Sequence, residues 1–337
     1  MKKRRVTLKD LAAELGVSMA TVSRALRNSH EVSDEMKQRV QLLAKEMNFR
    51  PNPFAQSLRM EVPRQIGVVV PNLVTHYYAA VLDGIEEYAL ENGYAVISAN
   101  SHENHEREKS AIDNFINMHV SGIIACLAQD TVDYGHFIEI YEMGIPLVFF
   151  ARTCLPELFS SVVANGDEAA QQATQHLIET GSRRIAFIGG PNHLDMVKRR
   201  KHGYLEALRE NKIPIDRDLV ACGKIGFDEA CKTTNRLLDL PNPPDAILAF
   251  NDIITYAAFD TIKSRGLRIP QDVAIIGFTD GATAAFVTPK MSAIVDQAYE
   301  QGRKVCELLI RNINGDRKIY REVVPMILKI QESSKKK

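Results

Sequence analysis

Met19, Ala20, Ser23, Arg24 and Arg27 fall on one arc of a short helix at about 100° per residue. Small side chains beside two guanidinium groups suit a DNA major groove. The first turn of such a helix reads base edges, and Arg24 can donate a bidentate pair to guanine, worth about 1–3 kcal/mol of discrimination. The opposite arc, with Ser18, Thr21, Val22, Ala25 and Leu26, is the packing face. A small helical bundle with a solvated face shares this pattern, so charge must decide between the two. Residues 1–61 hold 12 Lys and Arg against 7 Asp and Glu, in a chain whose formal net charge is zero. The basic end thus coincides with the helix, and a local positive field favours phosphate contacts.

The elements that position this arc are legible. Thr7 and Asp10 form a capping-box-like start, followed by Leu8, Leu11, Ala12 and Leu15 on one helical face. Gly16 supplies a tight turn, and Ser18 is placed to cap the second helix. A third helix is expected from a Ser33 cap to about Met47, with Met36, Val40, Leu43, Ala44 and Met47 inward. Pro51 and Pro53 end it and preset the next start. The segment Phe54-Ala55-Gln56-Ser57-Leu58-Arg59 is too short to hold as a helix without a partner.

Other chemistries find little support. Five cysteines show no CxxC spacing, which suits a reducing cytoplasm, and Cys126 sits in an apolar strand as a buried structural thiol. His102, Glu103, His105 and Glu106 read as a polar loop after the second strand, because no second ligand set accompanies them. No G-x-G-x-x-G, P-loop, G-x-S-x-G or H-E-x-x-H motif is present, so no enzyme, catalytic residue, metal or cofactor is expected. Met1–Arg5 is basic, but Lys9, Asp10 and Glu14 interrupt any signal-peptide core. No apolar run of about 18 residues exists to span a membrane.

Beyond Val62-Pro63, short apolar runs alternate with amphipathic stretches. The runs Ile66–Val70, Tyr94–Ala99, Gly122–Leu127, Pro146–Phe150, Ser161–Val163, Ile185–Ile188, Ala246–Phe250 and Val273–Phe278 read as strands buried on both faces. Ala80–Asn92, Ala169–Thr180, Val197–Asn211 and Ile253–Arg265 supply crossover helices. Such repetition exceeds a single core, so an α/β fold of two lobes built on parallel sheets is expected.

Residues 6–60 resemble the DNA-binding headpiece of the lactose-repressor (LacI/GalR) family of bacterial transcription regulators. The match rests on Val6-Thr7-Leu8-Lys9-Asp10-Leu11-Ala12, Gly16-Val17-Ser18, Thr21-Val22-Ser23-Arg24, Arg50-Pro51-Asn52 and Ala55-Gln56-Ser57-Leu58. Arg27 and Glu31 depart from it, standing where the family has Asn and frequently a basic residue. The remainder is similar to the periplasmic-binding-protein-like core of the same family. Arg183–Gly190, Pro244–Ile247 with Phe250-Asn251-Asp252, Gly266–Val273, Ile276-Gly277-Phe278 and Asp296-Gln297 carry that match.

The resemblance implies a helix-turn-helix domain over residues 1–50, a hinge helix and linker over 51–63, and an effector-binding core over 64–337. One core lobe would take about 64–165 and 296–322, the other about 166–295 and 323–337, with crossings near Asn165, Val295 and Val324. DNA-binding residues carried over are Thr7, Ser18, Met19, Ala20, Thr21, Ser23, Arg24 and Arg27, with Asn52, Ala55, Ser57, Leu58 and Arg59 in the hinge. Leu58 stands where the family wedges an apolar side chain between minor-groove base steps; packing against the core domain is the alternative.

For the effector, the resemblance points to the aromatic pair Tyr77 and Tyr78, to Arg200, to Asn251 and Asp252 at a strand's carboxyl edge, to Asn165 and Gln297 at crossings, and to Phe227. Thr279, in Gly277-Phe278-Thr279-Asp280, replaces the carboxylate typical of sugar-binding members. A sugar or sugar derivative is the first expectation; a purine, a phosphorylated metabolite or a protein partner acting on a degenerate cleft would also fit.

The implied protein is a cytoplasmic, nucleoid-associated homodimeric repressor on a pseudo-palindromic operator. Its effector would reorient the amino-terminal lobes and either part the two hinge segments, as an inducer, or hold them together, as a corepressor.

Overall fold

The computed structural model describes residues 6–26, 28–47, 49, 64–280 and 283–336, and the chain divides into two compact units, Met1–Pro63 and Arg64–Lys337. Arg27 and the hinge residues Asn52, Ala55, Ser57, Leu58 and Arg59 lie outside the described residues.

The smaller unit contains α1 (Leu8–Leu15), α2 (Met19–Leu26) and α3 (Asp34–Glu46). Each start has a side-chain cap. The Asp10 N–H donates to Thr7 Oγ1 at 3.3 Å while the Thr7 N–H donates to Asp10 Oδ2 at 2.7 Å, closing a reciprocal box. Ser18 Oγ accepts from the Thr21 N–H at 3.1 Å, and Ser33 Oγ from the Met36 N–H at 3.4 Å. Gly16 ends α1 at φ +67°, a left-handed conformation that a Cβ disfavours. Leu11, Val22, Ala25 and Val40 meet at the centre without exposure.

The larger unit is built on two sheets. The first takes β1 (Gln65–Val70), β2 (Ala95–Asn100), β3 (Gly122–Ala125), β4 (Leu147–Phe150), β5 (Ser160–Ala164) and, from far along the chain, β11 (Arg321–Val324). They pair in parallel in the order β11-β5-β4-β3-β1-β2. The second takes β6 (Ile185–Gly189), β7 (Val220–Cys222), β8 (Ala246–Ala249), β9 (Ala274–Phe278), β10 (Ser292–Val295) and β12 (Ile327–Lys329), in the order β12-β10-β9-β8-β6-β7. Only the β10–β12 pairing is antiparallel there. The chain passes between sheets after β5, after β10 and between β11 and β12.

The helices that cover the first sheet are α4 (His76–Glu91), α5 (His105–Asn117), α6 (Gly135–Glu142) and α11 (Ala298–Ile313). Those on the second are α7 (Gly166–Glu179), α8 (Asp195–Glu210), α9 (Phe227–Leu238) and α10 (Asp252–Ser264). Two helix pairs approach at backbone distance through glycine. A Cβ on Gly302 of α11 would lie 2.1 Å from the Val81 carbonyl oxygen of α4, and one on Gly203 of α8 would lie 1.9 Å from that of Asp167 on α7.

Two sequence expectations need correction. The run Tyr94–Ala99 is not a strand buried on both faces: β2 lies at the sheet's edge and its residues are half-buried or exposed. The supposed polar loop is only partly a loop. His102 and Glu103 do turn, at φ 51° and 60°, but Asn104 then accepts the Arg107 N–H at 3.0 Å and caps α5, which His105 and Glu106 begin.

Candidate functional site

Two sites emerge, one in each unit. On the helical unit, α2 buries Val22 and Ala25 completely and turns Met19, Ala20 and Arg24 outward, with Met19 53% exposed and Ser23 half-buried. Thr7 and Ser18 are exposed at helix starts, where backbone N–H groups and small hydroxyls suit phosphate oxygens. Thr21, half-buried, hydrogen-bonds its hydroxyl to that of Ser18 at 2.9 Å. Arg24 is engaged: its Nε lies 2.9 Å from the Glu31 carboxylate, in the turn before α3.

In the larger unit, a cleft of about 330 Å³ opens between the two sheets at the carboxyl ends of their strands, where open α/β sheets take ligands. Of the residues the sequence pointed to, Tyr77, Tyr78, Arg200, Asn251, Asp252, Thr279 and Gln297 line it. Asn165 and Phe227 do not. Asn165 instead accepts the Met326 N–H at 2.7 Å and donates to Glu168 at 2.9 Å, stitching two crossing strands. Phe227 begins α9 and is 48% exposed. Gln297 combines both roles, donating to the Pro325 carbonyl at 2.8 Å from the cleft wall.

Arg200 is the centre of the cleft. Its guanidinium lies over the Phe278 ring at 3.8 Å and beside Phe250 at 4.9 Å, a cation on two aromatic faces. Nη1 donates to the Phe250 carbonyl oxygen, and Nη2 lies 3.9 Å from Asp296. Its Nε is buried with no partner among the described residues. Burial pulls the Arg200 pKa down, opposed by the Asp296 charge, and burial pushes the Asp296 carboxyl up, opposed by Arg200.

Around this cation the polar groups form a chain. The Tyr77 hydroxyl donates to Gln301 at 2.7 Å, and Gln301 donates to Asp296 at 3.2 Å. Asn251 caps α10 by accepting the Ile254 N–H at 3.0 Å, placing Asp252 at the cleft. Burial raises the Asp252 carboxyl, the Ile253 N–H opposes that, and the nearby Asp280 charge adds to it. Thr279 shares a 2.9 Å hydrogen bond with the Tyr256 hydroxyl, so it serves the wall, while Asp280 beside it supplies a carboxylate to the lining.

Sequence reasoning missed Arg152, which follows β4 at the same carboxyl edge and is 5% exposed. The end-of-strand rule that found Asn251 would have found it. Its two terminal nitrogens grip Glu103 at 2.6 and 3.1 Å, so its charge is already matched. Glu103 also accepts the Gln129 N–H at 2.8 Å, and the Gln129 side chain accepts the Ile225 N–H of the opposite lobe at 3.0 Å. The five cysteines are free thiols, and burial pushes Cys126 up to about 12, which makes it inert. No helix among the described residues is long and apolar enough to cross a membrane.

Residues 7–52 match the family described as bacterial regulatory proteins, lacI family, and residues 174–334 match a periplasmic binding protein-like domain. The HTH-type transcriptional repressor CytR of Escherichia coli (strain K12) is 33% identical over 310 residues, spanning 92% of this chain and 90% of that protein. A solved transcriptional regulator CelR–cellobiose complex is 29% identical, with a TM-score of 0.74 over 98% of this chain and 100% of that one. The lac repressor dimer bound to operator and the anti-inducer ONPF shares the fold, with a TM-score of 0.87 at 23% identity over 98% of this chain and 99% of that one.

Proposed function

Since this chain belongs to the lacI family of bacterial regulatory proteins and is a DNA-binding transcriptional repressor, we propose that a small polyhydroxylated molecule, a sugar or sugar derivative, controls its hold on DNA. The protein acts in the cytoplasm as a homodimer on a pseudo-palindromic operator, through α2 and the segment 51–63. The effector sits between the lobes, and effector and operator affinities are reciprocally coupled.

The observation that carries this reading is the charge arrangement of the cleft. Asp252, Asp280 and Asp296 face it, whereas one of its two guanidinium groups, Arg152, is already neutralised by Glu103. Carboxylates accept hydroxyl hydrogen bonds and repel phosphate, while the Tyr77 ring supplies an apolar face. The relative solved with cellobiose in its title supports the same class.

A thermal-shift panel tests it with neutral sugars, nucleosides and sugar phosphates. A neutral sugar at a hundred times its dissociation constant adds about 2.7 kcal/mol to native stability and raises the melting temperature accordingly. A response confined to phosphorylated compounds or nucleosides overturns the assignment. Silence across the panel, with operator binding intact, moves control to a protein partner.

A further inference from the structure

His105, Glu108 and His136 lie outside the cleft, and neither DNA reading nor effector binding uses them. Helix α5 sets His105 and Glu108 one turn apart on the same face, and α6 delivers His136 from its own first turn. One potential ligand atom from each lies within 4.8 Å of the other two. His136 Nε2 is 3.1 Å from Glu108 Oε1, and the two imidazole rings meet edge to face at 5.1 Å between centroids. Glu108 is fully buried, His136 is 4% exposed, and His105 Nδ1 is enclosed without a hydrogen-bond partner among the described residues.

We propose that these three residues form a binding site for a divalent transition-metal ion of the zinc type. Two imidazole nitrogens and one carboxylate oxygen are a borderline donor set, which suits zinc and its neighbours and not calcium or magnesium. Metal–ligand bonds of about 2.0–2.2 Å put neighbouring tetrahedral ligand atoms roughly 3.3 Å apart. The Glu108–His136 pair already has nearly that spacing, and side-chain rotation at half-exposed His105 closes the third edge.

The surroundings are those of a supported ligand. The Ala128 N–H donates to Glu108 Oε2 at 2.6 Å and the Thr131 hydroxyl to Oε1 at 2.9 Å, fixing the carboxylate. The Phe137 ring lies 4.0 Å from that of His136 and shields it. Coordination through His136 Nε2 replaces its hydrogen bond to Glu108, and the ring proton then sits on Nδ1. A buried hydrogen bond alone accounts for Glu108 and His136 but leaves His105 Nδ1 without a partner among the described residues, at the cost of an unmet polar group. The metal satisfies all three. It also braces residues 127–131, the loop whose Gln129 reaches the opposite lobe.

Full-length protein treated with chelator and dialysed is titrated with Zn²⁺ by calorimetry and with Co²⁺ by visible absorption. The expected result is one ion per chain, ligand-field bands of a four- or five-coordinate Co²⁺ site, and a higher melting temperature. His105→Ala should abolish those bands while the chelated variant melts and binds operator as the parent does. Thr131→Val should weaken Zn²⁺ binding about tenfold through the carboxylate it orients. The proposal is overturned if the parent takes up no ion, if His105→Ala keeps the same spectrum, or if thiolate-to-cobalt absorption places the ion on cysteine.

Discussion

Arg24 and Glu31 form an ion pair at 2.9 Å, both about half-exposed, joining α2 to the turn before α3. The guanidinium we propose as a base reader is therefore occupied by a carboxylate. Binding to a guanine edge must first break this contact, so Glu31 acts as a brake on Arg24. Glu31→Gln should tighten DNA binding about two- to fivefold, the equivalent of one exposed ion pair, with thermal stability nearly unchanged. Fluorescence anisotropy on operator and scrambled duplexes measures it. An unchanged affinity shows that the pair opens without cost.

Gln129 Oε1 accepts the Ile225 N–H at 3.0 Å, one hydrogen bond directly linking the lobes. Such a bond is worth about 1 kcal/mol. Gln129→Ala should lower effector affinity about fivefold by depopulating the closed arrangement, and should enlarge the effector-free protein in solution scattering. Identical scattering and affinity would show the bond to be incidental.

The Asp252 carboxyl is held above its ordinary value by burial, with Asp280 reinforcing the shift. In the unfolded chain it ionises near 3.8, so as pH rises from there the unfolded state loses its proton first. Stability is therefore given up as pH rises, and the full loss is present above the folded value. Asp252→Asn keeps the Ile253 hydrogen bond and removes the buried charge. At neutral pH the effector-free variant should melt roughly 2–4 °C higher, the shift produced by about 1 kcal/mol, and should bind effector more weakly. The gap should close as pH is lowered toward about 4. A lower melting temperature at neutral pH would contradict this assignment.

What the chain discloses on reading depends on how local its determinants are. Thr7, Gly16 and Ser33 announce the helical unit because caps and turns are set within a few residues. β1, β3, β6, β8 and β9 are continuous apolar runs, since parallel strands under helices are buried on both faces. By contrast, Arg321–Val324 and Ile327–Lys329 carry no such signal: they are short, partly exposed edge strands that exist through pairing with β5 and β10. Helix α5 starts on the polar string His105-Glu106-Arg107-Glu108, whose period is hidden because buried Glu108 takes a place normally apolar. In the cleft, residues next to strand ends were readable. Asn165 was misplaced because its amide is consumed by Met326, a partner 161 positions away.

Gly302 and Gly203 mark the backbone contacts α11–α4 and α8–α7. Gly302→Ala would bring its Cβ to 2.1 Å from the Val81 carbonyl oxygen, so the helices must separate. The cost should be about 1–3 kcal/mol of native stability or more, by the measure of overpacked cores. Urea unfolding followed by circular dichroism checks it, and a loss below 0.5 kcal/mol, the range of neutral surface changes, would mean the helices yield freely.

Both sheets are finished by strands from one short stretch of chain. β11 edges the first and β12 the second, and Ser333 then fastens β10 and β9 through hydrogen bonds to Ser292 and the Ile275 carbonyl. During synthesis neither lobe can be completed until residues 321–334 have left the ribosome, whereas the DNA-reading helices emerge first. A truncation ahead of β11 therefore strips an edge strand from both sheets at once.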